Sequence, residues 1–178
     1  MAVEIEAKLK VDDLGLLRDK LVAAAAARHG KVRETNTYLA TSDDDVALRV
    51  RREVDEGGHA RVRVTFKGPR QPGAFKQREE IEFDAGDADA AVTIFARVGH
   101  KPVLVFEKDR ETFALDGCEV VLDELPQLGK FVEIEGPSED AVRRVLDKLG
   151  LGEGDVLVEG YAAMLVAKGL TDVRFAGE

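Results

Sequence analysis

The N-terminal strand of this chain alternates without interruption between apolar and charged residues. Residues Val3–Val11 read VEIEAKLKV, with apolar side chains at the odd positions and Glu4, Glu6, Lys8 and Lys10 at the even ones. A period of two residues is typical of a β-strand that buries one face. The strand therefore offers one apolar face to a core and a second face that carries two acids followed by two bases.

The same alternation recurs along the chain and predicts a protein made mainly of strands. Further strands are predicted over 46–52, 60–67, 78–83, 102–115, 117–123 and 131–135. Gly57-Gly58 and Asp116-Gly117 are turn signals between neighbouring strands and predict hairpins. The segment 68–77 is rich in Gly and Pro and is expected to form a loop.

Helices are predicted between the strands. The first opens at Asp12-Asp13, includes the alanines Ala23–Ala27 and ends at Arg28-His29, before Gly30. The others are predicted over Asp87–Val98, Ser138–Leu149 and about Val158–Lys168, and residues 170–178 are expected to fray. Because strands predominate and connections are short, we predict an α+β fold, an antiparallel sheet or barrel with helices packed outside.

Composition limits the class of function. The chain has 178 residues and no linker composition, which favours a single domain over 1–178. A formal net charge of -9 argues against a nucleic-acid binder. One cysteine, Cys118, allows no internal disulfide and suggests a cytoplasmic setting, while three scattered histidines lack zinc-ligand spacing. We find no signal peptide and no apolar run long enough to span a membrane.

The charged strand faces carry acids and bases in pairs at positions i and i+2. The acid pairs are Glu4/Glu6, Glu80/Glu82 and Glu133/Glu135, and the basic pairs are Arg49/Arg51, Arg61/Arg63 and Lys108/Arg110, with Lys8 and Lys67 in addition. A solvated sheet face would explain any one strand. Taken together, the pairs favour the lining of a barrel, where carboxylates suit Mg²⁺ or Mn²⁺ and Arg and Lys suit phosphoryl oxygens. The predicted ligand is a metal-bound polyphosphate.

Several motifs resemble, in order, those of the CYTH superfamily, also called triphosphate tunnel metalloenzymes. EIEAK (4–8) fits the ExExK signature, ALRVR (47–51) the LRxR strand and TFKGP (65–69) the TxKGP motif of the class IV adenylyl cyclase branch. REEIEF (78–83), EKDRETF (107–113) and VVLDELPQLGKFVEIE (120–135) resemble later motifs. The resemblance implies a closed antiparallel barrel of about eight strands, whose tunnel binds a triphosphate with Mg²⁺ or Mn²⁺.

The resemblance also implies roles for individual residues. The expected metal ligands are Glu4, Glu6, Asp123, Glu133 and Glu135, with Asp123 alternatively holding a neighbouring base. The expected phosphate-binding residues are Lys8, Arg49, Arg51, Arg63, Lys67, Lys108 and Arg110. Glu6, Lys8 and Asp123 are the expected catalytic residues. Glu80, Glu82 and Tyr161 are expected to line the tunnel, although Arg51, Arg63, Glu80 and Glu82 could instead form buried ion pairs that preserve register.

Two positions depart from the family pattern. Asn36 stands where an acid is usual before the LRxR strand, and Gly160-Tyr161 replaces a Ser-Tyr pair. We therefore assign no catalytic serine there, and Tyr161 is expected to pack or to close the tunnel.

Three functions remain open from the sequence. The first is a cyclase that converts ATP to cyclic AMP and pyrophosphate, and the second is a triphosphatase for thiamine triphosphate or inorganic triphosphate. The third is a binding module without turnover. The partner in each case is a nucleoside or inorganic triphosphate, with no nucleic acid or membrane, and a homodimer is compatible with the family.

Overall fold

The computed structural model describes residues 5–43, 45–69, 79–152, 154, 156–157 and 159–176. Within these ranges the chain forms ten strands and four helices, so the predicted α+β class is confirmed. The strands are β1 (Ile5–Val11), β2 (Ala27–Leu39), β3 (Ala47–Asp55), β4 (Ala60–Lys67), β5 (Glu80–Ala85), β6 (Pro102–Leu115), β7 (Cys118–Leu125), β8 (Gly129–Gly136), β9 (Val156–Leu157) and β10 (Asp172–Val173). The helices are α1 (Leu14–Ala23), α2 (Ala88–Arg97), α3 (Glu139–Leu149) and α4 (Tyr161–Ala167).

Backbone hydrogen bonds join the strands in the order β5-β4-β3-β2-β6-β7-β8-β1-β9, and β10 pairs parallel to β6. Among the described strands, no ladder joins β5 to β9. A barrel closed by hydrogen bonds is therefore not observed, and the strands number ten rather than about eight.

The chain divides into two compact units. The first comprises Met1–Lys31 and Asp109–Gly160, and the second comprises Val32–Lys108 and Tyr161–Glu178. The boundaries fall inside β2 and β6, so each of these strands contributes to both units.

The core of the first unit lies between its strands and the helices α1 and α3. Apolar side chains of β1, β6, β7 and β8 pack against Leu17 and Leu21 of α1 and against Val145 and Leu149 of α3. Ser138 caps α3, accepting a hydrogen bond from the Ala141 N–H, as its position before an acidic first turn predicts. The helices therefore cover the apolar face of this unit.

The second unit has a smaller core on the corresponding apolar face. Leu39, Val50, Val62 and Val64 are buried there, and residues of α2, including Phe95, pack against them. The predicted helix over Asp87–Val98 is confirmed as α2, with Asp87 as its N-cap and Val98 as its C-cap.

The predicted first helix is too long. Its last residue is Ala23, Ala25 adopts a φ of 56°, and β2 begins at Ala27. Alanine favours helix, but this preference is weak, and the position of β2 between β3 and β6 in the sheet overrides it. The prediction therefore missed a whole strand.

Two other boundaries differ from expectation. The last helix begins at Tyr161 rather than near Val158, which lies outside the described residues. Residues 172–175, expected to fray, instead belong to a tethered segment: β10 pairs with β6, and the Phe175 N–H donates to Glu107 Oε2 at 3.0 Å. No helix in the described ranges is long and apolar enough to cross a membrane.

Candidate functional site

The charged face of the first unit carries a row of three acids. In the antiparallel register Glu6 lies opposite Glu135, and Glu135 lies opposite Glu119 on its other side. Residues directly opposite one another share a face, and like charges so placed repel. We call Glu6, Glu135 and Glu119 the acidic row. The sequence identified the first two residues but missed Glu119, whose position depends on the register of β7 against β8.

Lys8 lies beside the acidic row and is buried. Its Nζ is 3.1 Å from Glu133 Oε1 and 3.3 Å from Glu6 Oε1, and it donates to the Glu159 carbonyl at 3.4 Å. Burial acts to lower the pKa of Lys8, but the carboxylates of Glu133 and Glu6 outweigh it and raise that pKa above its usual value. Lys8 is therefore a fixed positive charge on this face.

Arg110 binds two acids on this face, Asp123 and Glu133. Its Nε and Nη2 donate to the two carboxylate oxygens of Asp123 at 2.8 and 2.6 Å, and Nη2 also donates to Glu133. Asp123 is fully buried. Because both of its oxygens accept from Arg110, the geometry corresponds to the alternative in which Asp123 holds a neighbouring base.

The chemistry of the acidic face fits a hard divalent cation. Glu6, Glu133 and Glu135 provide carboxylate oxygens, the donors that Mg²⁺ and Mn²⁺ prefer. A cation would also reduce the repulsion between the like charges of Glu6 and Glu135, which lie directly opposite each other. In the described part of the chain, no three His, Cys, Asp or Glu side chains are gathered as a metal centre. Glu4, the remaining predicted ligand, lies outside the described residues.

The charged face of the second unit is dominated by arginines. Across β2, β3, β4 and β5 the register gives two rows, Tyr38–Arg49–Thr65–Glu82 and Asn36–Arg51–Arg63–Asp84. Predicted basic residues of the LRxR and TxKGP motifs therefore meet on one face. The i, i+2 spacing along each strand together with the register explains this grouping.

Arg49 is buried and incompletely satisfied. Its Nη2 donates to Thr65 Oγ1 at 3.1 Å and lies 3.8 Å from Glu82 Oε1. Among buried side-chain nitrogens and oxygens of the described residues, Arg49 Nε alone has no hydrogen-bond partner. Burial, and then the charge of Arg51, lower the pKa of Arg49. An anion beside Arg49 would accept a hydrogen bond from Nε and would also compensate the buried positive charge.

Glu34 is a central residue that the sequence analysis missed. Its carboxylate is 1% exposed and lies 3.2 Å from Arg51 Nε and 3.5 Å from Lys108 Nζ. Asn36 donates to the same carboxylate at 3.2 Å and accepts from Arg51 Nε at 2.8 Å. Asn36 thus bridges an acid and a base where the family usually has an acid. The signal was present, since Glu34 and Asn36 are two residues apart, but the strand that carries them was not predicted.

The remaining predicted residues of this unit form pairs. Glu82 accepts from Thr65 at 2.6 Å and lies 3.6 Å from Arg63 Nη1, and Lys67 contacts Glu80 at 3.0 Å. Burial acts to raise the pKa of Glu82, but Thr65 and the nearby arginines lower it overall.

Tyr161 is buried, and Lys108 Nζ lies 5.2 Å from the centre of its ring. This contact agrees with the packing role expected for Tyr161 and adds a cation–π partner for Lys108.

The fold and the charged faces define an α+β protein whose strands present ordered acids and bases on the side opposite the core. The CYTH domain family model matches residues 2–161, and the chain belongs to that family. The motif resemblance drawn from the sequence is thereby confirmed.

Individual relatives cover most of the chain. A Methanocaldococcus jannaschii protein named a putative adenylate cyclase is 28% identical over 173 residues, covering 89% of this chain and 96% of that protein. The solved structure of the PH1819 protein from Pyrococcus horikoshii has a TM-score of 0.78 at 29% identity, covering 93% and 99% of the two chains. The solved structure of a putative adenylyl cyclase from Hippeastrum, described as having a dominant triphosphatase activity, has a TM-score of 0.67 at 17% identity, covering 94% and 97% of the two chains.

Proposed function

We propose that this protein is a metal-dependent enzyme that processes triphosphates, with conversion of ATP to cyclic AMP and pyrophosphate as the first candidate reaction. The observation that carries the proposal is Arg49, a buried guanidinium with an unpartnered Nε, next to Arg51. A buried cation in this state is costly without an anion. The relative from Methanocaldococcus jannaschii supports a nucleotide as the source of that anion.

The acidic residues and the basic residues of the charged faces are proposed to have different roles. Glu6, Glu133 and Glu135 would hold Mg²⁺ or Mn²⁺, and Glu4 is proposed as a further ligand. When bound, the metal would supply charge neutralisation for the phosphates and activation of the attacking oxygen. Lys8 and Arg110, fixed by Glu133 and Asp123, supply positive charge on the same face. The closed barrel and tunnel implied by the sequence motifs belong to this proposal.

Phosphoryl transfer needs positioning and charge neutralisation more than covalent help. In the cyclase reaction, the ribose 3′ oxygen forms a bond to the α-phosphorus and gives its proton to solvent water, while the bond from the α-phosphorus to the bridging oxygen breaks and pyrophosphate leaves. Arg49, Arg51, Arg63, Lys67 and Lys108 would bind the phosphoryl oxygens and stabilise the charge that develops on the leaving group. These residues are proposed to act by charge and hydrogen bonding, without transferring a proton.

The second candidate is a triphosphatase, in which water attacks the terminal phosphorus and the bond to the bridging oxygen breaks. The diphosphate is then the leaving group, and the attacked group is released as inorganic phosphate. The Hippeastrum neighbour, with its reported triphosphatase activity, shares this fold, so the fold is compatible with both reactions. A binding module that cleaves neither bond is the third candidate.

Product analysis separates the three. We would incubate the protein with Mg²⁺ or Mn²⁺ and, separately, ATP, thiamine triphosphate and tripolyphosphate, and identify products by chromatography. Cyclic AMP with pyrophosphate supports the cyclase, and free phosphate supports the triphosphatase. Metal-dependent thermal stabilisation without product supports the binding module.

The metal assignment has its own control. Glu135→Gln is expected to abolish turnover, whereas Glu124→Gln, an exposed acid on the same sheet facing away from the acidic row, leaves it unchanged. Full activity in the Glu135 variant would contradict the assignment.

A further inference from the structure

An aromatic pair lies on the charged face of the second unit, away from the apolar core. The rings of Tyr38 and Phe106 stack with centroids 5.9 Å apart and planes at 19°. Phe106 is 3% exposed, whereas Tyr38 is half-buried. Leu39, the next residue, is on the other face in the core, so the alternation of β2 directs Tyr38 toward the arginines.

Tyr38 lies directly beside the incompletely satisfied arginine. It is the cross-strand partner of Arg49, and its hydroxyl oxygen, which accepts a hydrogen bond from the Arg49 guanidinium, acts to raise the pKa of Arg49 against the effect of burial. The ring is therefore next to the cation whose Nε has no partner. A ligand that places a phosphate on Arg49 has its neighbouring group close to this ring.

The pair suits a planar organic group better than another role. Phe106 stacks on the Tyr38 ring and restrains it before a ligand binds. Ligand binding then costs less side-chain conformational entropy. Aromatic rings that are fixed beside a basic surface stack on bases of any identity. A purely apolar function would place the pair with Val50 and Val64 on the core face, which it does not occupy.

We infer that Tyr38, supported by Phe106, is the platform on which the planar ring of an organic triphosphate stacks while Arg49 binds its phosphates. This inference rests on the proposed function and deepens it. The substrate is a triphosphate ester with an aromatic ring, such as a nucleoside triphosphate, and inorganic triphosphate is the weaker ligand. Tyr38 is then a specificity-determining residue.

Two variants separate stacking from a simple orienting role of the hydroxyl. Tyr38→Leu removes the ring, and Tyr38→Phe keeps the ring but removes the hydrogen bond to Arg49. Affinities for ATP and for inorganic tripolyphosphate would be measured by calorimetry with Mg²⁺, on the full chain. Phe83→Leu, an exposed aromatic of the opposite face, is the matched control.

Loss of the Tyr38 ring should affect ATP binding and tripolyphosphate binding differently. Tyr38→Leu is expected to weaken ATP binding roughly 5- to 100-fold and to leave tripolyphosphate binding unchanged. Tyr38→Phe retains the preference for ATP, and Phe83→Leu changes neither affinity. Phe106→Leu removes the ring that stacks on Tyr38 and is expected to weaken ATP binding by a smaller factor, again without changing tripolyphosphate binding. Circular dichroism of each variant establishes that it folds.

Two results would overturn the platform while leaving the proposed function intact. One is equal weakening of both ligands by Tyr38→Leu, and the other is a wild-type protein that binds tripolyphosphate as tightly as ATP. If the wild-type protein binds neither ligand, the proposed function fails as well, so the two failures are distinguishable.

Discussion

Arg49 combines burial, a missing hydrogen bond and a like-charged neighbour, each of which costs folding free energy. Residues that reduce stability but persist at a site usually serve binding. We therefore expect Arg49→Met, which keeps the aliphatic volume, to match or exceed the wild-type Tm without ligand. The same variant should lose the thermal stabilisation that Mg²⁺ with tripolyphosphate gives to the wild type.

Arg61→Met is the control for this prediction. Arg61 is exposed and pairs with Asp84 at 3.0 Å. Its replacement should leave ligand stabilisation intact. A large loss of Tm in the unliganded Arg49 variant would mean that Arg49 is structural.

Asp123 and Asp84 each accept two hydrogen bonds from an arginine, but one pair is buried and the other is exposed. Asp123 is fully buried on Arg110, and Asp84 is exposed on Arg61. Removing the Asp123 charge takes one acidic partner from the Arg110 guanidinium, which still contacts Glu133, and leaves an Asn amide group in the buried position. Asp123→Asn is therefore expected to cost about 3 kcal/mol, a fall in Tm of roughly 6–12 °C in thermal unfolding.

Asp84→Asn provides the matched comparison and should change Tm little, since exposed ion pairs contribute little. Equal losses from the two variants would show that burial does not govern this interaction.

The alternation of charged and apolar residues was sufficient to identify most of the candidate site, because it depends on local geometry. Glu6, Lys8, Arg49 and Arg51 were found in this way. The partners of these residues were not, because they depend on register between distant strands. Glu34 was missed because the strand that carries it was not predicted. The pairing of Asp123 with Arg110 was one of two alternatives until the register of β6 against β7 was known.

Among the elements, strand β8 packs tightly against Cys118 of β7 and Val142 of α3 at Gly136. A Cβ added there would lie 2.7 Å from Cys118 Sγ and 3.2 Å from Val142 Cγ2. Overfilling a packed site of this kind costs about 1–3 kcal/mol. Gly136→Ala should lower the free energy of unfolding, measured by denaturant titration, by that amount, and adding Cys118→Ala should recover part of it because the Sγ is gone.

Gly86→Ala is the control, since a Cβ at that position meets nothing within 4 Å. Additive effects of Gly136→Ala and Cys118→Ala, with no recovery in the double variant, would contradict the steric explanation.

Elements with a strong local signal were predictable, and those formed by long-range pairing were not. Helix α3 has a serine cap, an acidic first turn and Gly150 in the left-handed conformation at its end. The Asp116-Gly117 hairpin has positive φ at both residues, as its sequence predicts. By contrast, Ala23–Ala27 favours helix locally, and the strand that begins at Ala27 lies between β3 and β6 in the sheet, so it forms through long-range pairing.

For the whole molecule, pH dependence follows from the charged groups. The pKa of Glu111 lies below its usual 4.5, since the hydrogen bonds of Arg28 and Arg18 outweigh the effect of burial. Its contribution is complete above the unfolded value and is lost as pH falls through the lower folded value. Lys8, with its pKa raised above 10.5, contributes fully below 10.5 and loses this as pH rises through the folded value.

We therefore expect a flat Tm from about pH 5 to 10, measured by calorimetry, with a fall on either side. Glu111→Gln should lower the plateau and flatten the acid limb, while the alkaline limb stays the same. A transition near pH 6.5, where histidine titrates, would contradict this account of the charges.

The pairing of distant strands into one sheet could not be derived from the sequence, because no local pattern encodes which edges meet. The alternation of charged and apolar residues supplied the α+β class of fold, and the strand order supplied the grouping of charges within each unit.

The central claim is that the charged faces bind a metal-bound triphosphate rather than forming a solvated surface. Its most direct test is the Tm of the wild-type protein with tripolyphosphate and with ATP, each in the presence of Mg²⁺ and of EDTA. We predict a rise with either triphosphate that requires Mg²⁺ and disappears in Glu135→Gln. An unchanged Tm under all four conditions would contradict the claim.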